Sequence, residues 1–170
     1  VDMSGKHYFE PHFKSDFNID LLCTMNYICH LFVFHKSVLA KAGYFKREYD
    51  GAQDYDFILR CTEEAKHIVH IPKVLYHWRC HPQSTSENPE SKLYAFTNGC
   101  KAVKAHYDRI GIPAEVERGP FYGTYHTKYQ WKEEPLLSII IPNKDHAEDL
   151  KKCIESVENR SVYRNFEFII

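Results

Sequence analysis

Two aspartates, Asp54 and Asp56, are the residues whose type and spacing offer the clearest chemistry. Carboxylates act as proton acceptors, as metal ligands or as caps of helices. Apolar residues recur at helical spacing from Gln53 to about Glu64, so both aspartates lie at the start of a predicted helix. On residue preference alone, a capping role for Asp54 is favoured. Because a carboxylate at a helix start is held in a fixed direction, capping and chemistry can coexist.

A second candidate site is the aromatic and basic stretch 76–81, with the sequence YHWRCH. On a strand, His77 and His81 would be about 13 Å apart, so their spacing alone does not indicate a metal site. The guanidinium of Arg79 offers a planar fork for phosphate oxygens. Trp78 can stack on the apolar face of a sugar, although a tryptophan in such a stretch more often belongs to the core.

Arg60 lies four residues from Asp56 and four from Glu64 on the same predicted helix. Either spacing places opposite charges on neighbouring turns of one helix face. We therefore interpret Arg60 as one member of a structural ion pair, with either partner.

Composition excludes several classes of function. The formal net charge is -1, which gives no general attraction to nucleic acid or to an anionic membrane. No run of about 18 apolar residues is present, and the first residues lack the pattern of a signal peptide. The six cysteines include no Cys-x-x-Cys pair, which favours a reducing, cytoplasmic location without disulfides.

Short helices and strands alternate in the first two thirds of the chain. Asn18 or Asp20 caps the first helix, and Ser37 caps the second, which ends at Gly43. Residues 114–133 predict either one or two strands or an extended linker. Helices are predicted at 20–25, 37–42, 53–64 and 92–110, and strands at 26–35 and, in two pieces, within 66–79. The core-facing stripe of the helix 92–110 is predicted to comprise Leu93, Phe96, Cys100, Val103 and Tyr107.

The last segment, 136–170, predicts a buried strand, a turn, an amphipathic helix and a second strand. This order is typical of the beginning of an α/β nucleotide-binding domain. The stripe Ala147, Leu150, Ile154 and Val157 is predicted to face a core. We therefore assign the chain to the α/β class.

Two groups of motifs together resemble family 2 glycosyltransferases of the GT-A fold, which transfer a sugar from a nucleotide-sugar. The first group comprises NYICH at 26–30, GYF at 43–45, DGAQDYDFILR at 50–60 and VLYHWR at 74–79. It resembles the acceptor-binding half that ends such a domain. The second group comprises LSIIIPNKD at 137–145 and FEFII at 166–170, and it resembles the nucleotide-binding start of such a domain.

The order of these halves, an end followed by a beginning, is that of the junction in a tandem enzyme similar to rhamnosyltransferases of polysaccharide assembly. The resemblance implies a partial GT-A (Rossmann-like) fold with a mixed sheet and flanking helices. It implies an acceptor-binding half at 1–111, a connecting segment at 112–135 and the β-α-β start of a second domain at 136–170. We expect the chain by itself to be inactive, because neither half holds a complete donor site.

The resemblance also implies a role for each candidate residue. Asp54 matches the base that takes a proton from the acceptor hydroxyl, although the Glu that precedes it in the family is Gln53 here. His81 matches a histidine that reaches the metal, which would be Mg²⁺ or Mn²⁺ in the longer enzyme, with the alternative that this chain alone binds none. The Asp54–Asp56 pair is not the metal motif, since that motif belongs upstream, at the end of a buried strand.

Binding of a nucleotide-sugar donor and a saccharide acceptor is the implied function, with inversion at the sugar carbon. In the second domain, the turn after the first strand touches the nucleoside in this family, and Asp145 is alternatively the cap of the next helix. The residues predicted to bind substrate are Gln53, Asp56, Trp78, Arg79, Pro142 and Asp145.

A non-catalytic carbohydrate-binding or assembly module is the alternative function, consistent with the aromatic content of 15% and with Gln53. The strand at 136–141 also leaves two outcomes open. It either folds back and pairs with the first half, which is the outcome we expect, or it pairs with another molecule and forms a homo-oligomer.

Overall fold

The computed structural model of the chain describes residues 1–80 and 93–170. The chain divides into two compact units, Val1–Gln130 and Trp131–Ile170. Each unit combines helix with a two-stranded sheet, so the protein has the mixed α/β fold class that the sequence predicts. Within the described residues, no helix combines the length and the apolar character needed to cross a membrane.

The described residues of the first unit form four α-helices, one 3₁₀ turn and one antiparallel hairpin. The strands pair from Ala114 opposite Tyr129 to Arg118 opposite Tyr125. The hairpin occupies most of the predicted connecting segment 112–135, so two strands form there rather than an extended linker. The elements are α1 (Ile19–Thr24), α2 (Lys36–Ala42), a 3₁₀ turn (Arg47–Tyr49), α3 (Gln53–Glu64), α4 (Leu93–Arg109), β1 (Ala114–Arg118) and β2 (Tyr125–Tyr129).

Side-chain caps explain where the two short helices begin. The Asn18 side chain accepts a hydrogen bond from the N–H of Leu21 at 2.9 Å, as the sequence predicts. The cap of α2 is His35, whose Nδ1 accepts from the N–H of Ser37 at 3.2 Å, so the prediction of Ser37 as the cap is wrong by two residues. Gly43 ends α2 with a φ of 76°, a conformation that favours glycine.

The core of the first unit surrounds α3, in which every residue from Tyr55 to Cys61 is buried. The ring of Tyr55 stacks on that of Tyr125 with centroids 5.4 Å apart. Its hydroxyl donates to the carbonyl of Leu22 in α1. Because α3 packs against α2, α4 and the 3₁₀ turn, these contacts fix the position of its first turn.

The core-facing side of α4 is rotated from the predicted stripe. Val103 and Tyr107 are buried as predicted, but Leu93 is exposed. Gly99 takes part instead, because a Cβ placed on it would lie 1.8 Å from the hydroxyl oxygen of Tyr125. Small side chains on α4 therefore allow the tyrosine of β2 to approach the helix. The buried residues of α4 are Ala95, Gly99, Ala102, Val103, His106 and Tyr107.

The strands predicted at 26–35 and within 66–79 do not form; both segments lack strand structure in the described chain. Aromatic side chains of the first segment pack on α3 instead: Phe32 and Phe34 contact the ring of Phe57 at centroid distances of 6.3 and 5.0 Å. Aromatic and β-branched residues favour strands only where a sheet receives them. Here the same residues cover a helix.

The second unit is the predicted strand–helix–strand. Its elements are β3 (Leu137–Ile140), α5 (Ala147–Arg160) and β4 (Phe166–Ile169). The strands are parallel and pair from Leu137 opposite Phe166 to Ile140 opposite Ile169. Because β3 has β4 as its partner, and the two sheets of the described chain share no strand, the expected pairing of 136–170 with the first half is wrong.

Candidate functional site

Asp54 lies in the first turn of α3 and is partly exposed. Its Oδ2 accepts a hydrogen bond from Nδ2 of Asn26 at 3.2 Å. The N-cap of α3 is Ala52, without a side-chain cap bond, so Asp54 does not cap the helix. Its carboxylate lies in the first turn, at the positive end of the helix dipole. In the described part of the chain, Oδ1 has no hydrogen-bond partner.

A tight turn at Gly51 precedes the start of α3. The side-chain oxygen of Gln53 accepts from the N–H of Gly51 at 2.7 Å. Gly51 has a φ of 86°, and a Cβ there would lie 2.8 Å from the Cβ of Ala95 in α4. Gln53, a predicted substrate-binding residue, is thus used to shape the turn that precedes Asp54.

The segment 26–30 forms the wall beside Asp54. Oδ1 of Asn26 accepts from the N–H of Cys29 at 3.1 Å. Burial, and then the negative charge of Asp54, raise the pKa of the Cys29 thiol. The ammonium of Lys14 donates to the carbonyls of Ile28 and His30 and so fixes the segment from the other side. Sequence patterns gave no signal for the contacts that Lys14 and Asp54 make with this segment, because they join residues 14 to 28 positions apart.

Asp56 is fully buried, with a relative exposure of 0%. Its Oδ2 accepts from Nε and Nη2 of Arg60 at 2.9 and 2.6 Å, which confirms the ion pair within α3. Glu64, the alternative partner, instead lies 3.3 Å from Lys41. The predicted substrate-binding role of Asp56 gains no support from a side chain that is closed to solvent.

Trp78 is half exposed and belongs to an aromatic group with His30 and Tyr76. The ring of His30 lies 5.3 Å from Trp78 and 5.1 Å from Tyr76, measured between centroids. Since Lys14 binds the carbonyl of His30, this aromatic group is joined to the wall beside Asp54. Arg79 donates to the carbonyl of Met3 at 3.1 Å, which uses one arm of its guanidinium for the fold.

A cation site is not assembled in the described residues, where no three His, Cys, Asp or Glu side chains come together in a suitable group. His81, the predicted metal ligand, lies outside the described residues. The aspartates at 54 and 56 diverge, one towards Asn26 and the other into the core with Arg60.

The predicted nucleoside turn of the second unit is exposed at Pro142 and Asp145. Asp145 has a φ of 63°, and the N-cap of α5 is His146, so Asp145 is not the cap. Beside this turn, α5 bears an open depression of about 410 Å³. It is lined by Asn143, Ala147, Leu150, Lys151, Ile154 and Glu155.

A charged network that sequence patterns did not reveal joins α3 to α4. Glu63 lies 2.6 Å from Nδ1 of His106 and accepts two hydrogen bonds from Arg109 at 2.7 and 2.6 Å. Burial opposes protonation of His106, but the side chains of Cys23 and Glu63 raise its pKa to about 9. Burial alone would raise the pKa of Glu63, and the bonds from His106 and Arg109 lower it.

Stability should therefore decrease as the pH rises from 6 to 9.5. A raised pKa in the folded state means that the contribution of His106 is complete below its unfolded value and is lost as the pH passes about 9. The shift from 6.5 corresponds to roughly 3 kcal/mol. Urea unfolding of the chain at both pH values measures this loss.

His106→Gln should remove most of that pH dependence. The matched control is His126→Gln, because His126 pairs with Glu117 at 3.0 Å on the exposed hairpin and is itself largely exposed. If the free energy of unfolding decreased equally with pH in wild type and in His106→Gln, the pH dependence would not come from His106. On the acid side, Glu63 contributes stability that is present above its usual pKa and lost as the pH falls.

Two curated bacterial proteins are similar to nearly the whole chain. "Uncharacterized protein y4gI" of Sinorhizobium fredii (strain NBRC 101917 / NGR234) is 42% identical over 164 residues, which cover 95% of this chain and 18% of that protein. "O-antigen biosynthesis protein RfbC" of Myxococcus xanthus is 32% identical over 170 residues, which cover 100% of this chain and 13% of that protein. The chain thus spans less than a fifth of the length of either relative.

No protein-family model matches the chain. No solved structure matches it significantly either. The similarity to the two bacterial proteins is therefore the finding that bears on function.

Proposed function

We propose that the chain is part of a longer family 2 glycosyltransferase that builds a polysaccharide by transferring a sugar from a nucleotide-sugar to a saccharide acceptor. The observation that carries this proposal is the 32% identity to O-antigen biosynthesis protein RfbC, which extends along all 170 residues. The motifs that resemble the enzyme family lie within this aligned length.

Asp54 is the proposed general base. A carboxylate that takes a proton must be ionised, directed and reachable by the acceptor hydroxyl. The first turn of α3 supplies the dipole, the bond from Asn26 supplies the direction, and partial exposure supplies access. Oδ1 is the proposed proton acceptor, because Oδ2 is already bonded to Asn26.

The proposed step is a displacement at the anomeric carbon of the donor. Asp54 takes the proton of an acceptor hydroxyl while that oxygen forms a bond to the anomeric carbon. The bond from this carbon to the nucleoside diphosphate breaks, and the leaving group keeps the electron pair. Attack from the opposite face inverts the configuration of the sugar carbon.

This class of reaction uses a divalent cation to neutralise the charge that develops on the diphosphate leaving group. The described residues bring no three candidate ligands together. Mg²⁺ or Mn²⁺ bound by His81 or by residues beyond this chain stays part of the proposal.

Substrate contacts are proposed for the exposed candidates. Trp78 offers a half-exposed ring for stacking on a sugar, and Arg79 retains donors for a phosphate. In the second unit, Pro142 and Asp145 lie at the turn after β3, where a nucleoside would bind. The two units would then be the end of one transferase domain and the start of the next.

Asp54→Asn tests the proposal in the full-length protein that contains this chain. Release of nucleoside diphosphate is measured with a panel of nucleotide-sugars, Mn²⁺ and a saccharide acceptor. We expect kcat/KM to decrease at least about a hundredfold, because an amide cannot take the proton.

The matched control is Asp50→Asn, which makes the same chemical change on an exposed side chain four residues earlier. It should leave the rate within about twofold of wild type. If the wild-type protein binds saccharide but releases no nucleoside diphosphate, the proposal fails and the non-catalytic carbohydrate-binding module is favoured.

A further inference from the structure

Asn26 connects the wall segment to the carboxylate of Asp54 through both ends of its amide. Nδ2 donates to Oδ2 of Asp54 at 3.2 Å, and Oδ1 accepts from the N–H of Cys29 at 3.1 Å. The bond to Asp54 joins residues 28 positions apart, from the segment after α1 to the first turn of α3, whereas the bond from Cys29 lies within the wall segment. A single side chain thus sets the distance between the wall and the candidate base.

The orientation of this amide is determined by its neighbours. Rotating it by 180° would place Oδ1 against the carboxylate of Asp54 and the NH₂ group against the N–H of Cys29. Both contacts would be repulsive, because acceptor would face acceptor and donor would face donor. Asn26 therefore presents a donor to Asp54.

The backbone that carries Asn26 is held on both sides. Met25 forms a bridge with Thr124 in the hairpin. Tyr27 is buried, and its hydroxyl oxygen accepts from the N–H of Asn18 at 3.0 Å. The donor is therefore in place before any substrate arrives, which is what a preorganised site requires.

We propose that Asn26 is a positioning residue for the transfer reaction: it holds Oδ2 of Asp54 in place and leaves Oδ1 directed at the acceptor hydroxyl. This role rests on the proposed function of Asp54 as the base. Asn26 itself touches neither the substrate nor the reacting atoms.

Asn26→Asp separates the positioning role from a merely structural one. The variant has nearly the same shape and keeps an acceptor for the N–H of Cys29, but it places a carboxylate oxygen beside Asp54. We expect kcat/KM of the full-length protein to decrease at least about tenfold, since a hydrogen bond to a charged group is lost. The acidic limb of the pH profile should move to higher pH, because a like charge disfavours the ionised base.

Asn26→Ala and Asn98→Ala complete the series. Asn26→Ala removes both bonds and should also lower the rate and move the acidic limb. Asn98→Ala is the matched control: Nδ2 of Asn98 donates to the carbonyl of Asp50 at 2.9 Å, near the start of α3 but away from Asp54. It should leave the profile unchanged.

A measurement that needs no activity tests the contact directly. In the 170-residue chain, the side-chain NH₂ resonances of Asn26 in a ¹⁵N–¹H spectrum should shift as the pH falls through the range in which carboxylates titrate. Asp54→Asn should abolish that shift. The proposal would be overturned if the Asn26 side-chain resonances did not shift with pH, or if they shifted to the same extent in Asp54→Asn as in wild type.

The activity outcomes distinguish the two proposals. If Asp54→Asn loses transfer while Asn26→Asp keeps the wild-type rate and pH profile, only the positioning role is wrong. If the wild-type full-length protein transfers no sugar, the role of Asp54 as base is wrong and the positioning role falls with it.

Discussion

Arg60→Ala should destabilise the first unit by about 3–5 kcal/mol, the loss expected when one partner of a buried ion pair is removed. Asp56 is fully buried, so it would keep its charge away from water without the two hydrogen bonds that now satisfy Oδ2. Arg60 also donates to the carbonyls of Ala42 and Tyr44, and the variant leaves these acceptors unpaired. Urea unfolding followed by circular dichroism measures the change.

The chain contains a matched control with the same four-residue spacing. Lys104 pairs with Asp108 on the exposed side of α4, and Lys104→Ala should change stability by no more than about 0.5 kcal/mol. A double variant, Asp56→Leu with Arg60→Met, should recover part of the loss, because an apolar pair can replace a buried ion pair. A loss below about 1 kcal/mol for Arg60→Ala would contradict this account.

Gly99→Ala is the second change with a large expected effect on stability. We expect it to destabilise the protein, although replacing glycine by alanine within a helix usually stabilises it. Alanine in place of glycine inside a helix normally stabilises by about 1 kcal/mol. Here the new Cβ would lie 1.8 Å from the hydroxyl oxygen of Tyr125 and 2.4 Å from the ring carbon that bears it. The stacked ring of Tyr55 limits how far Tyr125 can move. We therefore expect destabilisation of about 2–3 kcal/mol from overpacking.

Tyr125→Phe should not rescue Gly99→Ala, because ring carbons would still lie 2.4 and 2.8 Å from the new Cβ. Tyr125→Ala should rescue Gly99→Ala in part. The double variant should lose less stability than the sum of the losses of the two single variants. Lys101→Ala, on the exposed side of the same helix, should be nearly neutral. A stabilising Gly99→Ala would show that β2 does not pack against α4 in this way.

The elements with strong periodicity were predictable from the sequence. The bounds of α3, Gln53–Glu64, agree with the prediction, and so does the order of β3, α5 and β4. The start of α3 places Asp54 where the sequence predicted. An ion pair of Arg60 within α3 was also predictable, because it is local to one helix, but the sequence did not decide between Asp56 and Glu64 as the partner.

Features that depend on distant neighbours were not predictable. The aromatic residues at 26–35 suit a strand equally well until α3 is known to receive them. The rotation of α4 follows from Tyr125, which comes 26 residues after Gly99 in the sequence. The bond between Asn26 and Asp54 likewise joins two segments whose approach no local pattern specifies.

The stacked tyrosines between α3 and the hairpin also bear on how the protein absorbs light. Burial raises the pKa of Tyr55 and of Tyr125 well above the ordinary value for a phenol, and Tyr107 is shifted in the same direction. These rings cannot become phenolates in the native state at moderately alkaline pH. Growth of phenolate absorbance from them in strong alkali therefore reports the opening of the first unit, without any added dye or label.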